Sequence, residues 1–132
     1  MMTTELSMLV WTTGLTGILW LPYLLAQSNV SGLIVSLGYG YKEPLADLPA
    51  WAQRAKAHHG NAVENLVLFA ALVIAMHLAE AGNAATAAAA ITFFWARVAH
   101  AVIHYAGIPY LRSIAFLVGW LALVCIFYQI VT

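Results

Sequence analysis

Long runs of apolar residues, separated by short polar interruptions, extend along almost the whole chain. A helix needs about 20 mostly apolar residues to cross a bilayer. Runs of that length occur at about residues 7–26, 62–81, 84–106 and 109–131. The pattern therefore predicts an all-α integral membrane protein, a four-transmembrane-helix bundle that forms one domain over residues 1–132.

Proline and acidic residues predict how the first two helices bend and begin. Pro22 falls inside the first span and predicts a kink there. Residues 27–50 are polar and rich in Gly and Pro, and we expect them to form the one long loop. Asp47 as a cap and Pro49 in the first turn predict that the second helix begins near residue 49, ahead of its apolar run.

Two tight turns are expected to join the last three helices. Gly82 is suited to end the second helix, and Asn83 is suited to cap the third. Gly107 and Pro109 have the same roles between the third and fourth helices. The third helix opens with small residues, which let helix backbones approach closely in lipid, so we expect that face to pack.

Composition agrees with a membrane location. The chain is 64% hydrophobic and only 8% charged, against about 25% charged in soluble domains. The net charge of zero implies no nucleic-acid partner. The first apolar run lacks a preceding basic region, so we interpret it as a transmembrane helix and not as a cleaved signal.

The basic residues fall on one side of the predicted bundle. They are Lys42, Arg54, Lys56, Arg97 and Arg112. The positive-inside rule then places both termini outside the cytoplasm. We expect the protein in the inner or plasma membrane.

Polar residues interrupt the second and third apolar helices. They are Asn61, Glu64 and Asn65 on the second, and Arg97, His100 and His104 on the third. Their spacing places each set on one helix face. Because a charge at mid-bilayer costs about 2.5–3.5 kcal/mol, we expect both faces to turn inward and Glu64 to pair with Arg97. Such groups either hold helices together or contact a ligand.

The histidines raise the question of a metal. His100 and His104 at i, i+4 could bind one with Glu64 as a third ligand. Nothing else in the sequence supports that arrangement, so we predict no metal site. His58 and His59 precede the apolar run and are expected to be solvated.

Arg112 stands at the opening of the fourth helix. A helix N-terminus offers free N–H groups and about half a positive charge. Arg112 adds a full charge, and Ser113 adds a hydroxyl. Together they could hold a carboxylate or stabilise a thiolate. The alternatives are lipid-phosphate binding or a charge that only sets the topology of the chain in the membrane.

Two sequence patterns resemble those of a known membrane family. The run R-x(4)-H-x-N-x-x-E-N over residues 54–65 resembles the helix 2 signature of the MAPEG family, the membrane-associated proteins in eicosanoid and glutathione metabolism. RVAH at 97–100 and PYLRS at 109–113 resemble that family's motifs on helices 3 and 4. The resemblance runs from about residue 50 to the end and indicates a divergent member of bacterial type.

The resemblance implies a homotrimer that binds glutathione between neighbouring subunits near the cytoplasmic face. Arg112 would stabilise the glutathione thiolate, with Ser113 beside it as the second catalytic candidate. The residues implied to bind glutathione are Asn61, Glu64, His100 and His104, and we add Arg97 as a further binding candidate. A hydrophobic small-molecule substrate would enter from the membrane lipid.

Several positions depart from the family pattern. Ala57 and Gly60 stand where basic residues are common, His104 where Tyr is usual, and Phe116 where some members carry a Tyr hydroxyl. Fewer cationic partners for the two carboxylates of glutathione should weaken its binding. Two hypotheses follow: a glutathione-dependent transferase or peroxidase, or a non-catalytic protein that binds a lipid or a partner in the same groove.

Overall fold

The computed structural model describes residues 1–38 and 48–132, and over these residues it is helical with short connections. The helices are α1 (Thr4–Ile18), α2 (Leu21–Ser31), α3 (Leu33–Leu37), α4 (Ala50–Leu78), α5 (Ala84–Ala106) and α6 (Pro109–Val131). Four segments are long and apolar enough to span a membrane, namely Thr4–Ser31, Ala50–Leu78, Ala84–Ala106 and Pro109–Val131. The predicted all-α fold with four membrane-spanning helices is therefore confirmed.

The first span is broken in the middle. Leu19 and Trp20 separate α1 from α2, and Pro22 lies in the first turn of α2. Proline lacks the N–H that a helix interior needs, so the kink predicted at this residue is confirmed.

The segment predicted as one long loop is partly helical. The α2 helix continues to Ser31, and α3 follows directly after Gly32, whose φ of 83° makes the sharp turn between them. The prediction of a loop from residue 27 is therefore wrong for this part. The apolar residues of this part, such as Leu33 and Ile34, are compatible with a helix, and its glycines lie at the ends of α3. The proposed cap Asp47 lies outside the described residues.

The α4 helix begins early, as predicted, with Pro49 directly before its first residue. It ends at Leu78, and not near Gly82 as predicted. Glu80, with φ of 53°, takes the left-handed conformation that ends the helix. The next cap is as predicted: the Asn83 side chain accepts hydrogen bonds from the N–H groups of Ala85 and Thr86 at 2.8 and 3.1 Å.

The turn between α5 and α6 also follows the prediction, and a side chain from α4 forms hydrogen bonds to it. Gly107 has φ of 75° and ends α5, and Pro109 begins α6. The Arg54 guanidinium donates to the Tyr105 carbonyl from Nε at 3.3 Å and from Nη2 at 3.0 Å. A cation bonded to a carbonyl of the last turn also complements the helix dipole, so Arg54 ties the start of α4 to the end of α5.

The apolar core lies away from this turn, between α4, α5 and α6. The rings of Phe69 and Phe93 stack with centroids 4.2 Å apart, and Val73, Met76 and Ile126 are buried around them. Ala89, Ala90 and Ala96 on α5 are buried as well, which confirms that the small-residue face packs. The core fixes these helices against one another and leaves the polar residues together near the α5–α6 turn.

Candidate functional site

A polar cavity of about 280 Å³ lies next to the α5–α6 turn. Its lining residues are Asn61, His100, His104, Arg112, Ser113 and Phe116. They come from α4, the last two turns of α5 and the first two turns of α6. Five of the seven site residues predicted from the sequence therefore lie around one cavity, and Arg97 and Glu64 lie elsewhere.

The α6 helix presents Arg112 and Ser113 at its first turn because Pro109 begins the helix directly after the Gly107 turn. The Ser113 hydroxyl reaches the Pro109 carbonyl at 3.4 Å. Arg112 and Ser113 are exposed, whereas His100 and His104 on the opposite wall are 3% and 8% exposed. The exposed Arg112 cation and the buried imidazoles of His100 and His104 thus line the same cavity.

Arg97 lies behind the cavity and is only 4% exposed. Its Nη2 donates to the Asn61 Oδ1 at 2.8 Å, which orients the Asn61 amide at the cavity wall. The Asn65 side chain in turn donates to the Asn61 carbonyl at 2.8 Å. Arg97 and Asn65 therefore support the site through Asn61 and do not line it.

The predicted partnership of Glu64 with Arg97 is wrong within this chain. Glu64 is exposed, and the described part of the chain gives Arg97 the Asn61 amide as its partner instead. The face of α4 that packs on α5 follows Ala62, Asn65 and Phe69. Glu64 lies about 100° around the helix from Asn65 and points away from α5.

Positive charge dominates the surroundings of the cavity. Arg112 lines it, Arg97 lies behind it, and Arg54 joins Arg112 and His104 around an adjoining cavity of about 70 Å³. The described lining of the larger cavity carries no carboxylate. Fixed guanidinium groups with few competing anions suit the binding of an anionic ligand.

His58 is a residue that sequence reasoning misplaced. It is 1% exposed and not solvated, because it occupies the same buried stripe of α4 as Ala55 and Ala62. Its Nδ1 lies 3.0 Å from the Nδ1 of His100. The sequence did contain an indication that His58 is buried, namely its i, i+4 spacing from Ala62. The polar residues between them made this part of α4 look solvated. His59 instead meets the Tyr23 hydroxyl at 3.0 Å from its Nδ1.

Comparison with protein-family models gives one decisive result. The model of the MAPEG family matches residues 8–132. The chain belongs to the MAPEG family. The match begins within α1, so it extends the resemblance seen in the sequence to the first span of this MAPEG protein. Neither the comparison with curated proteins nor that with solved structures found a match.

The departures from the MAPEG pattern fall into two groups in space. Ala57 and Gly60 are exposed on α4, and a Cβ at Gly60 would meet nothing within 4 Å. His104 and Phe116 line the cavity itself, with the Phe116 ring centroid 6.3 Å from that of His100. The cavity thus keeps the Asn, His, Arg and Ser of the motif but has an apolar ring on its α6 side.

Proposed function

We propose that this MAPEG protein is a glutathione-dependent membrane enzyme, of the transferase or peroxidase type, that acts on a hydrophobic substrate. The observation that carries the proposal is the cavity at the start of α6, where Arg112, Ser113, Asn61 and His100 converge. The family membership supports it, because MAPEG proteins take their name from glutathione metabolism.

The charges and hydrogen-bonding groups of the cavity residues complement those of glutathione. Glutathione carries two carboxylates and a thiol, and the cavity supplies a guanidinium, a helix N-terminus and imidazole and amide groups. The volume of about 280 Å³ is at the lower end for a ligand site. A second copy of the chain in the proposed homotrimer would supply the rest of the enclosure.

In the proposed mechanism, the Arg112 guanidinium and the positive end of the α6 dipole stabilise the thiolate form of the bound thiol. Positive charge at a helix N-terminus lowers the cost of the thiolate, and that thiolate is the nucleophile which glutathione supplies. The Ser113 hydroxyl can donate a further hydrogen bond to it. Asn61, held by Arg97, and His100 orient the peptide.

A hydrophobic substrate would approach this site along the face of the bundle between α4 and α6. An apolar groove of about 300 Å³ lies between α4 and α6, lined by residues that include Leu68, Trp120 and Phe127. Trp120 lies on α6 about 12 Å further along the helix than Arg112. We place this groove in lipid and the Arg112 end at the cytoplasmic face, with both termini outside.

The test is calorimetric titration of glutathione into the purified protein in detergent. We expect saturable binding that Arg112→Ala weakens by about tenfold or more, the loss of one charge-assisted contact. His77→Ala, an exposed change at the other end of α4, is the matched control and should bind like wild type. Turnover of an aryl halide or a lipid hydroperoxide should fall with Arg112→Ala as well.

The second candidate function is non-catalytic binding of a lipid-like molecule in the same cavity. Phe116 favours it, because this ring gives the cavity an apolar wall. Absence of binding at millimolar glutathione, with native-like unfolding, would overturn the enzyme proposal. Binding of a fatty acid or lysolipid that Phe116→Ala weakens would then support the second function.

A further inference from the structure

We propose that His58, His100 and His104 form a binding site for a borderline transition-metal ion such as Zn²⁺. One ring nitrogen from each of these residues lies within 4.8 Å of the others. Three imidazoles around Zn²⁺ at 2.0–2.1 Å would have their nitrogens about 3.3 Å apart in a tetrahedral arrangement. Small side-chain rotations would therefore bring the existing cluster to the spacing that the ion requires.

Burial makes the cluster unusual. His58, His100 and His104 are 1%, 3% and 8% exposed, and buried ring nitrogens normally have partners. The Nδ1 of His104 is buried without a hydrogen-bond partner anywhere in the described chain. Its ring centroid lies 5.4 Å from that of His58 and 5.5 Å from that of His100. A metal ion would give this nitrogen the partner that the protein does not.

The scaffold is suited to hold such ligands. His100 and His104 are separated by one helical turn on α5, a spacing that lets two imidazoles bind the same ion. His58 comes from the neighbouring helix α4, so the ligands lie on two packed helices and not on loops. His100 and His104 also line the cavity of about 280 Å³. Three protein ligands beside an open space are typical of zinc sites that keep a fourth, exchangeable position.

Charge restricts which ion and which fourth ligand the site would accept. Three neutral imidazoles leave the charge of the ion uncompensated, and Arg97, Arg112 and Arg54, which lie within electrostatic range of His104, disfavour a cation that has no anionic ligand. Hard ions such as Mg²⁺ and Ca²⁺ need oxygen ligands, which the cluster does not offer. A borderline ion that prefers imidazole, with an anion such as hydroxide as fourth ligand, fits both conditions.

The metal site shares His100 and His104 with the proposed glutathione site and differs from it in His58. It is formed by two helices of a single chain, and His58 does not belong to the residues that line either polar cavity. Substitution of His58 therefore tests the metal with least disturbance of the glutathione site. His59→Ala is the matched control, because the neighbouring imidazole contacts Tyr23 and not the cluster.

The experiment uses full-length protein without a histidine tag, in detergent and stripped with a chelator. Zn²⁺ is titrated by calorimetry, and Co²⁺ is titrated in parallel by visible absorption. We expect one ion per chain, intense absorption typical of four-coordinate Co²⁺, and affinity weakened about 100-fold or more in His58→Ala. His59→Ala should bind like wild type.

Equal zinc affinities of His58→Ala and His59→Ala, or no binding at millimolar Zn²⁺, would overturn the proposal. If His58→Ala does not unfold cooperatively, His104→Gln replaces it, judged by loss of the Co²⁺ absorption. Glutathione titrated into stripped wild-type protein is a separate measurement. Zinc binding without glutathione binding, or the reverse, therefore shows which of the two proposals has failed.

Discussion

The Arg97 side chain shows how this protein holds a charge inside a membrane-spanning bundle. Arg97 is 4% exposed, and its guanidinium donates to an uncharged amide, that of Asn61. Desolvation of a charge is expensive without good hydrogen bonds. Asn61 therefore has two roles, since it partners Arg97 on one side and lines the cavity on the other.

A double-mutant cycle can separate the observed partner of Arg97 from the one that the sequence predicted. We expect Asn61→Ala and Arg97→Leu to be coupled by about 1.5–3 kcal/mol, the range for a hydrogen bond to a charged group. The matched cycle of Glu64→Ala with Arg97→Leu should give less than about 0.5 kcal/mol. Thermal unfolding in detergent provides both values, and the reverse order would contradict the contact.

Residues that act on their own backbone could be predicted from the sequence, whereas residues that act through a neighbour could not. Gly107 and Asn83 were predicted correctly because left-handed turns and N-caps depend on local chemistry. His58 was misplaced because its burial depends on how α4 is rotated against α5. Five of the seven site residues line one cavity because the helix faces predicted for them were correct. Glu64 does not, because it lies about 100° around α4 from the buried Asn65.

Among the helices, different hydrogen bonds join neighbouring helices at the two ends of the bundle. At one end Arg54 joins α4 to the last turn of α5. At the other end the Thr86 hydroxyl donates to the Glu5 Oε1 at 2.5 Å, which joins α1 to the start of α5. Glu5 is 4% exposed, so a carboxyl group in the first turn of α1 is a structural residue. Sequence periodicity gave no indication of this contact.

Glu5→Ala tests the fastening of α1. It removes the Glu5 oxygen from the Thr86 hydroxyl, which keeps the Asn83 carbonyl at 2.8 Å as an acceptor, so we expect a loss of about 0.5–1.5 kcal/mol in the free energy of unfolding. Glu80→Gln is the matched control, because it neutralises an exposed carboxylate near the same end of the bundle and should change stability by less than about 0.5 kcal/mol. Equal unfolding temperatures of the two variants in detergent would show that the contact contributes nothing.

The helix ends show what a single sequence can and cannot determine at this scale. The apolar run predicted that α4 would extend to about residue 81, but Glu80 turns left-handed and the helix ends at Leu78. A glutamate rarely adopts that conformation. The sequence alone therefore favoured Gly82 as the residue that ends the helix. The lengths of the apolar runs therefore located the membrane-spanning helices well. They did not determine the residue at which α4 ends, which depends on the backbone conformation after the run.

At the scale of the whole molecule, a single chain leaves polar groups of spanning helices uncovered. Glu64 is exposed on α4, and Arg112 is exposed at the open side of the cavity. An ionised side chain that faces lipid is unfavourable, by up to about 2.5–3.5 kcal/mol at mid-bilayer and by less toward a membrane face. A neighbouring copy would cover both groups and enclose the cavity, which is a physical reason to expect an oligomer. That the oligomer is a trimer is what the MAPEG resemblance implies.

Native mass spectrometry of the protein released from mild detergent should therefore give three chains per particle, and Glu64→Leu should shift the distribution toward single chains. The reasoning is that a carboxylate covered by a neighbour has a polar partner there, and a leucine would leave that partner unsatisfied. If Glu64 instead faced lipid, the same change would remove an unfavourable charge, leave the oligomer intact and raise the unfolding temperature. His77→Leu, an exposed change at the far end of α4, controls for added apolar surface and should leave the distribution unchanged. The sign of the Glu64→Leu effect thus distinguishes a surface that another copy covers from one that the membrane covers.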